Sequence, residues 1–215
     1  MKKLLMLCPM MLWLLLSINC QQVLKTETKN INQAFHYTLD AANGTIVQFA
    51  NLSKAEFLGK LKLPSNARIT RVEIQSLSCN VKVNPNNKAS KATVSGFFIE
   101  ILDSEHEYEH KMFDKKEITL SPVSGVWVGW VPINTLVGEG IGMLKTQLAK
   151  WLAEYNDYTG ESIQLMLVGA STPTNSRLVM DFDLRIDASI QYEYCLTTSK
   201  LMGGEGFECE DAITN

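Results

Sequence analysis

Residues 177–194 read RLVMDFDLRIDASIQYEY, and their two-residue rhythm decides the fold. Leu178, Met180, Phe182, Leu184, Ile186 and Ala188 fall on one side of an extended chain. Val179, Asp181, Asp183, Arg185 and Asp187 fall on the other. Successive strand residues point to opposite faces, so this stretch predicts a strand with one face on a core and one in water. At ~3.3 Å per residue it is long enough to cross a sandwich and bend into a second sheet.

Related patterns extend away from it. Residues 162–170 (SIQLMLVGA) form the apolar run of a buried strand, and 171–175 read as a loop. Residues 67–83 alternate with slips that suggest bulges or a bend. Residues 92–102 (ATVSGFFIEIL) and 126–133 (VWVGWVPI) are β-rich, and Pro132 places the end of the second at an edge or exit. Residues 36–39 and 45–49 flank Asn43-Gly44, a hairpin signal. One segment departs from the rhythm. Ile141, Leu144, Leu148, Trp151, Leu152 and Tyr155 recur at helical spacing, which predicts one amphipathic helix packed on a sheet. Together these elements predict a mainly β fold: an antiparallel β-sandwich, jelly-roll or immunoglobulin-like, as one domain over 34–196 with a tail over 197–215.

Composition narrows the function classes. The 215 residues are 46% apolar and 20% charged, which suits a globular chain and not a disordered one. A formal net charge of −3 lacks the basic surplus of a nucleic-acid binder. At the N-terminus, Lys2 and Lys3 precede an apolar run over residues 4–16. A bilayer span takes about 20 residues, so this run has the layout of a signal peptide over 1–19.

Leu16-Ser17-Ile18-Asn19-Cys20 resembles the lipobox of bacterial lipoproteins, with Asn19 where Gly, Ala or Ser is usual. The resemblance implies acylation of Cys20, attachment to the membrane through that lipid, and a polar tether over 20–33. Conventional cleavage, giving a soluble secreted chain, is the alternative. Export also suits disulfides. Cys195 and Cys209 flank Gly203-Gly204 and are the candidate pair, the alternative being that both stay reduced alongside Cys79. No C-x-x-C occurs.

Several motifs invite chemistry. His106-Glu107-Tyr108-Glu109-His110 matches H-E-x-x-H, which would make His106 and His110 zinc ligands and Glu107 a general base. That chemistry needs a helix, because positions four apart on a strand are ~13 Å apart. Here charged and other residues alternate, which predicts a strand. Gly138-Glu139-Gly140-Ile141-Gly142 resembles a phosphate-binding turn, but Met143 stands at the third glycine position and Glu139 would repel an anion. Asp181, Asp183 and Asp187 could suggest calcium, although a row on one strand face is more often solvated. No G-x-S-x-G is present, and the histidines are His36, His106 and His110.

The aromatic candidates for a sugar platform are Trp127, Trp130, Trp151, Tyr155 and Tyr158. Trp151 and Tyr155 lie on the helix stripe, where core packing is expected. Trp127 and Trp130 are three apart on a β-type stretch, so strand parity sends them to opposite faces and at most one to solvent. They remain the ligand-binding candidates.

The signal-to-Cys20 segment and the closing stretch 162–194, ending Gln191-Tyr192-Glu193-Tyr194, resemble the β-sandwich surface lipoproteins of Bacteroides-type bacteria. The resemblance implies an outer-membrane lipoprotein of the cell envelope, with a glycan or envelope protein as partner. The expected function is therefore a non-enzymatic, membrane-tethered binding or adhesion module without a cofactor. A secreted hydrolase using the H-E-Y-E-H segment, and a structural subunit of a surface assembly, are the alternatives.

Overall fold

A computed structural model describes residues 20–64, 67–101, 107–120, 125–153 and 162–199. The strands are β1 (Cys20–Ala41), β2 (Thr45–Ser53), β3 (Arg68–Val83), β4 (Lys91–Ile101), β5 (Glu107–Thr119), β6 (Val131–Pro132), β7 (Ser162–Thr172) and β8 (Leu178–Ser199). The helices are α1 (Lys54–Leu61) and α2 (Gly138–Ala153). One sheet has the order β1-β8-β3-β6 and the other β2-β7-β4-β5. Among the described strands, β4 and β5 are the one consecutive pair that shares a sheet, and the other connections change sheets. That interleaving is a jelly roll, which decides between the two sandwich types expected.

The turn at Asn43-Gly44 forms, but not as a hairpin. Gly44 has φ +73° there, and the chain passes from β1 in one sheet to β2 in the other. A Cβ at Gly44 would lie 2.7 Å from the Ser176 carbonyl oxygen, so the position needs glycine for space as well as for its backbone angle.

Two compact units divide the chain. The larger comprises residues 28–62 and 71–190. Its core follows the alternation of β8: Leu178, Met180, Phe182, Leu184, Ile186, Ala188 and Ile190 are all buried. Tyr37 meets Phe182 edge-on with ring centroids 6.1 Å apart. Helix α2 buries Leu144, Leu148, Trp151 and Leu152 of the expected stripe, with Ile141 half-buried at its start. Gly140 lets its first turn approach β5, since a Cβ there would sit 2.3 Å from the Lys111 carbonyl oxygen. The Gly138–Gly142 segment is thus a helix start built for close packing, not a phosphate cradle.

Helix α1 was not expected from apolar spacing, although its start is written in Ser53-Lys54-Ala55-Glu56, the S-x-x-E capping box. Ser53 Oγ accepts from the Glu56 N–H at 3.2 Å. Residues 20–33, expected as a polar tether, lie in strand β1, and α1 accounts for two of its polar positions. The inward positions of β1 continue below Phe35 as Gln33, Ile31 and Lys29. Lys29 donates to the Leu61 carbonyl at the end of α1, and Lys60 donates to Gln33 Oε1 at 2.6 Å. Polar side chains satisfied by a helix end give no hydrophobic period.

The smaller unit comprises residues 1–27, 63–70 and 191–215, of which 20–27, 63–64, 67–70 and 191–199 are described. Glu27 accepts the phenol protons of Tyr192 at 2.9 Å and Tyr194 at 3.0 Å, and Lys25 lies 2.5 Å from the same carboxylate. The hydrogen bond from Lys25, then those of the two phenols, lower the Glu27 carboxyl from an ordinary 4.5 to about 2. A depressed folded-state value contributes stability above pH 4.5 that is lost as the pH falls through about 2. Carboxyl carbon chemical shifts should therefore place the Glu27 midpoint well below that of an exposed glutamate. A midpoint near 4.5 would remove this cluster from the account of the unit.

Cys195 is disulfide-bonded, while its expected partner Cys209 lies outside the described residues, as do the leader and the tail beyond Ser199. Cys79 is buried and free, as both readings have it, whereas the bonded Cys195 goes against the reading in which all three stay reduced. Among the described residues, no helix is long and apolar enough to cross a membrane.

Candidate functional site

The outer face of the β1-β8-β3-β6 sheet collects most of the polar candidates. Because β8 buries every second residue, Asp181, Asp183, Arg185 and Asp187 point outward in one row. Strand β1 adds His36, Thr38 and Asp40 by the same alternation, and β3 adds Ser76, Asn80 and Lys82. Each carboxylate of the row has a partner. His36 Nδ1 is 2.6 Å from Asp183, Lys82 Nζ is 3.5 Å from Asp181, and Ser76 donates to Asp187 at 2.8 Å. Arg185 also lies 3.2 Å from Asp187. Carboxylates engaged by cations and hydroxyls on a flat strand are not a wrapped calcium site.

Beyond β3 runs the ribbon of residues 125–133. The Gly125 N–H donates to Val83 O at 2.8 Å, that of Val128 to Val81 O at 2.9 Å, and that of Ile133 to Leu77 O at 2.9 Å. Between these ladder bonds Gly129 has φ +99°, a left-handed angle that a side chain would strain. Its N–H turns instead to the Asn80 side-chain oxygen at 2.9 Å. This residue resets the parity. Trp127 and Trp130 therefore share the outer face, which corrects the expectation that they oppose one another.

Contacts of the indoles show how they lie. Trp127 is within 6.4 Å of the His36 ring, although His36 belongs to β1 at the far edge of the sheet. Trp130 lies with its centroid 4.5 Å from the Arg185 guanidinium on β8. Neighbouring strands are about 4.8 Å apart, so side chains from beyond β3 reach these partners only by lying down across the sheet. Lys82 Nζ is 5.9 Å from the Trp127 centroid, and both contacts are cation–π pairs. Each indole thus rests on a cation, and the residues stay 38% and 39% exposed. Trp151, by contrast, is buried as expected, and Tyr155 and Tyr158 lie outside the described residues.

On the reverse of the ribbon, Val128 and Val131 line a cleft of about 130 Å³ with Cys79, Val81, Lys116 and Ile118. Burial raises the Cys79 thiol above its ordinary value, so it is a poor nucleophile.

Two arrangements on these strands have the residue types of a catalytic site. Thr38 Oγ1, His36 Nε2 and Asp183 are connected in triad order, with Thr38 3.3 Å from the ring. The Thr38 hydroxyl also lies 3.5 Å from Asp181, and the group stands on an open sheet face. The main-chain N–H groups of β1 lie in the sheet plane, where they cannot serve an oxyanion above it. These residues offer hydrogen bonds, not an activated nucleophile. In the H-E-Y-E-H segment, Glu107 to His110 begin strand β5, as the alternation predicts, and His106 lies outside the described residues. His110 is held between Glu100 at 3.0 Å and Glu139 at 3.4 Å, while Glu107 is exposed. Strand geometry does not bring Glu107 and His110 to one ion as a zincin helix would.

Sequence reasoning found the two tryptophans but not their setting. Nothing pointed to His36, Thr38, Asn80 and Lys82 as neighbours of that pair. Their outward parity is readable, but their adjacency comes from strand order.

No family model matches the chain, and no curated protein matches it. Among solved structures, a chain of Desmodium yellow mottle tymovirus is similar at 14% identity and a TM-score of 0.29, over 80% of this chain and 90% of that one. The 60-mer BFDV capsid protein is similar at 8% identity and a TM-score of 0.32, over 79% and 94%. A chain of the infectious bursal disease virus Gx strain is similar at 8% identity and a TM-score of 0.31, over 83% of this chain. This protein spans 40% of the length of that viral chain. At these scores no residue and no role passes from those proteins to this one.

Proposed function

We propose that this chain is a non-enzymatic binding module of the bacterial cell envelope, exported, anchored through acylated Cys20, and capturing glycan on the Trp127–Trp130 face. The observation that carries the reading is two half-exposed indoles lying down on one sheet face, each backed by a cation. The C–H face of a pyranose stacks on such a ring, while its hydroxyls take hydrogen bonds at the rim. Asp181, Asp183, Asn80 and Lys82 supply acceptors and donors there. The cations Lys82 and Arg185 stand among Asp181, Asp183 and Asp187, which suits a neutral sugar better than a strongly charged polymer.

The test is a glycan array probed with the purified chain and with the Trp127→Ala/Trp130→Ala double variant. Hits on neutral hexose polymers that vanish in the double variant are expected. Hits that survive it, or an array without hits, would reject the platform. Anchoring is checked separately, by mass spectrometry of the mature N-terminus: a diacylglyceryl group on Cys20 is expected, and a free thiol there would leave a secreted binder.

A further inference from the structure

The sheet edges are treated unequally. Edge strand β1 carries Lys25, Glu27, Lys29, His36 and Asp40, and edge strand β5 carries Glu107, Glu109, Lys111, Lys116 and Glu117. Edge strand β6 is two residues long and ends in Pro132. Charge, shortness and proline all discourage edge-to-edge pairing. Edge strand β2 has none of these devices: its nine residues, TIVQFANLS, include no charge and no proline. Val47 and Phe49 on it are 51% and 53% exposed.

Among the described residues no strand pairs with the outer edge of β2, and its outward main-chain groups follow from the register. Gly44 O accepts from the Ser171 N–H at 2.8 Å, so Gly44 faces β7. By alternation Ile46, Gln48 and Ala50 also direct their main chain to β7, while Thr45, Val47, Phe49 and Asn51 direct theirs away. The Thr45 N–H accordingly meets the Asn43 side chain at 3.2 Å. Phe49 stands opposite Met166, which stands opposite Phe97, so the edge continues an apolar rank across the outer face of its sheet.

We propose that β2 pairs antiparallel with β2 of a second copy of this chain, about a two-fold axis at Gln48. That register sets Val47 opposite Phe49 of the other copy and the reverse, two β-branched–aromatic pairs of the favoured kind. It also aligns the outward main-chain groups of Val47 and Phe49 with their complements. A two-fold axis sets similar residues of the two copies against each other, and an uncharged strand alone does this without self-repulsion. The pairing uses the second sheet and leaves the tryptophan face of the first exposed, so a dimer would present two such faces to one polymer.

Sedimentation velocity of the purified chain over a wide concentration range tests the association. A concentration-dependent dimer is expected, with Phe49→Glu weakening it more than tenfold. Gln48→Cys supplies an independent readout, because Cα atoms at a non-hydrogen-bonded antiparallel pair are about 4.5 Å apart, within disulfide reach. Under mild oxidation Gln48→Cys should cross-link between chains beyond the wild-type background, and Thr45→Cys should not. A chain that stays monomeric at all concentrations overturns the proposal. So does a dimer indifferent to Phe49→Glu with no Gln48→Cys cross-link. Should Phe49→Glu fail to fold, the two cysteine variants still decide.

Discussion

Trp151→Ala is expected to lower the unfolding free energy by about 3–5 kcal/mol, the range for removing a buried tryptophan. Trp151 is fully buried on the inner stripe of α2, and its ring packs at a tilt on Phe57 of α1 with centroids 6.1 Å apart. The side chain therefore links both helices to the sandwich, and truncation opens a cavity that neither helix can close without leaving its own contacts. For a chain of this length each kcal/mol moves the melting temperature by roughly 2–4 °C, so a fall of about 6–20 °C should be seen by calorimetry. Among the described residues the indole N–H has no partner, so Trp151→Phe should cost much less than Trp151→Ala. A Trp151→Ala protein melting within a few degrees of wild type would show that the α2 stripe is not part of the core.

The second large effect concerns binding. Removing both Trp127 and Trp130 should abolish detectable glycan binding while leaving the melting temperature close to wild type, since both rings lie on the outer face. Buried tryptophan anchors at interfaces commonly cost about 2 kcal/mol or more when truncated, close to thirtyfold in Kd for each ring. Trp130 should be the more sensitive, because the Arg185 guanidinium holds it at 4.5 Å whereas Lys82 stands 5.9 Å from Trp127. Arg185→Ala should then weaken binding by loosening Trp130 without removing a ring. Titration calorimetry with an array-identified oligosaccharide measures all of these. Equal affinities for wild type and Trp130→Ala would reject the stacking role.

The alternation of Leu178 to Ala188 determined β8 and which of its faces meets the core, because a two-residue period leaves no choice of side once one face is apolar. Helical spacing likewise determined α2, and the alternating charges around His110 determined that β5 is a strand. Tertiary structure decided the rest. Strand order, which placed His36 and Arg185 under rings from beyond β3, arises from connections between sheets that no local period records. The inward Lys29 and Gln33 looked like tether because their partners, the end of α1 and Lys60, are brought to them only by folding. The shared face of Trp127 and Trp130 turned on one left-handed angle at Gly129. A glycine in a sequence permits such an angle without requiring it, and the Asn80 side chain that receives its N–H comes from another strand.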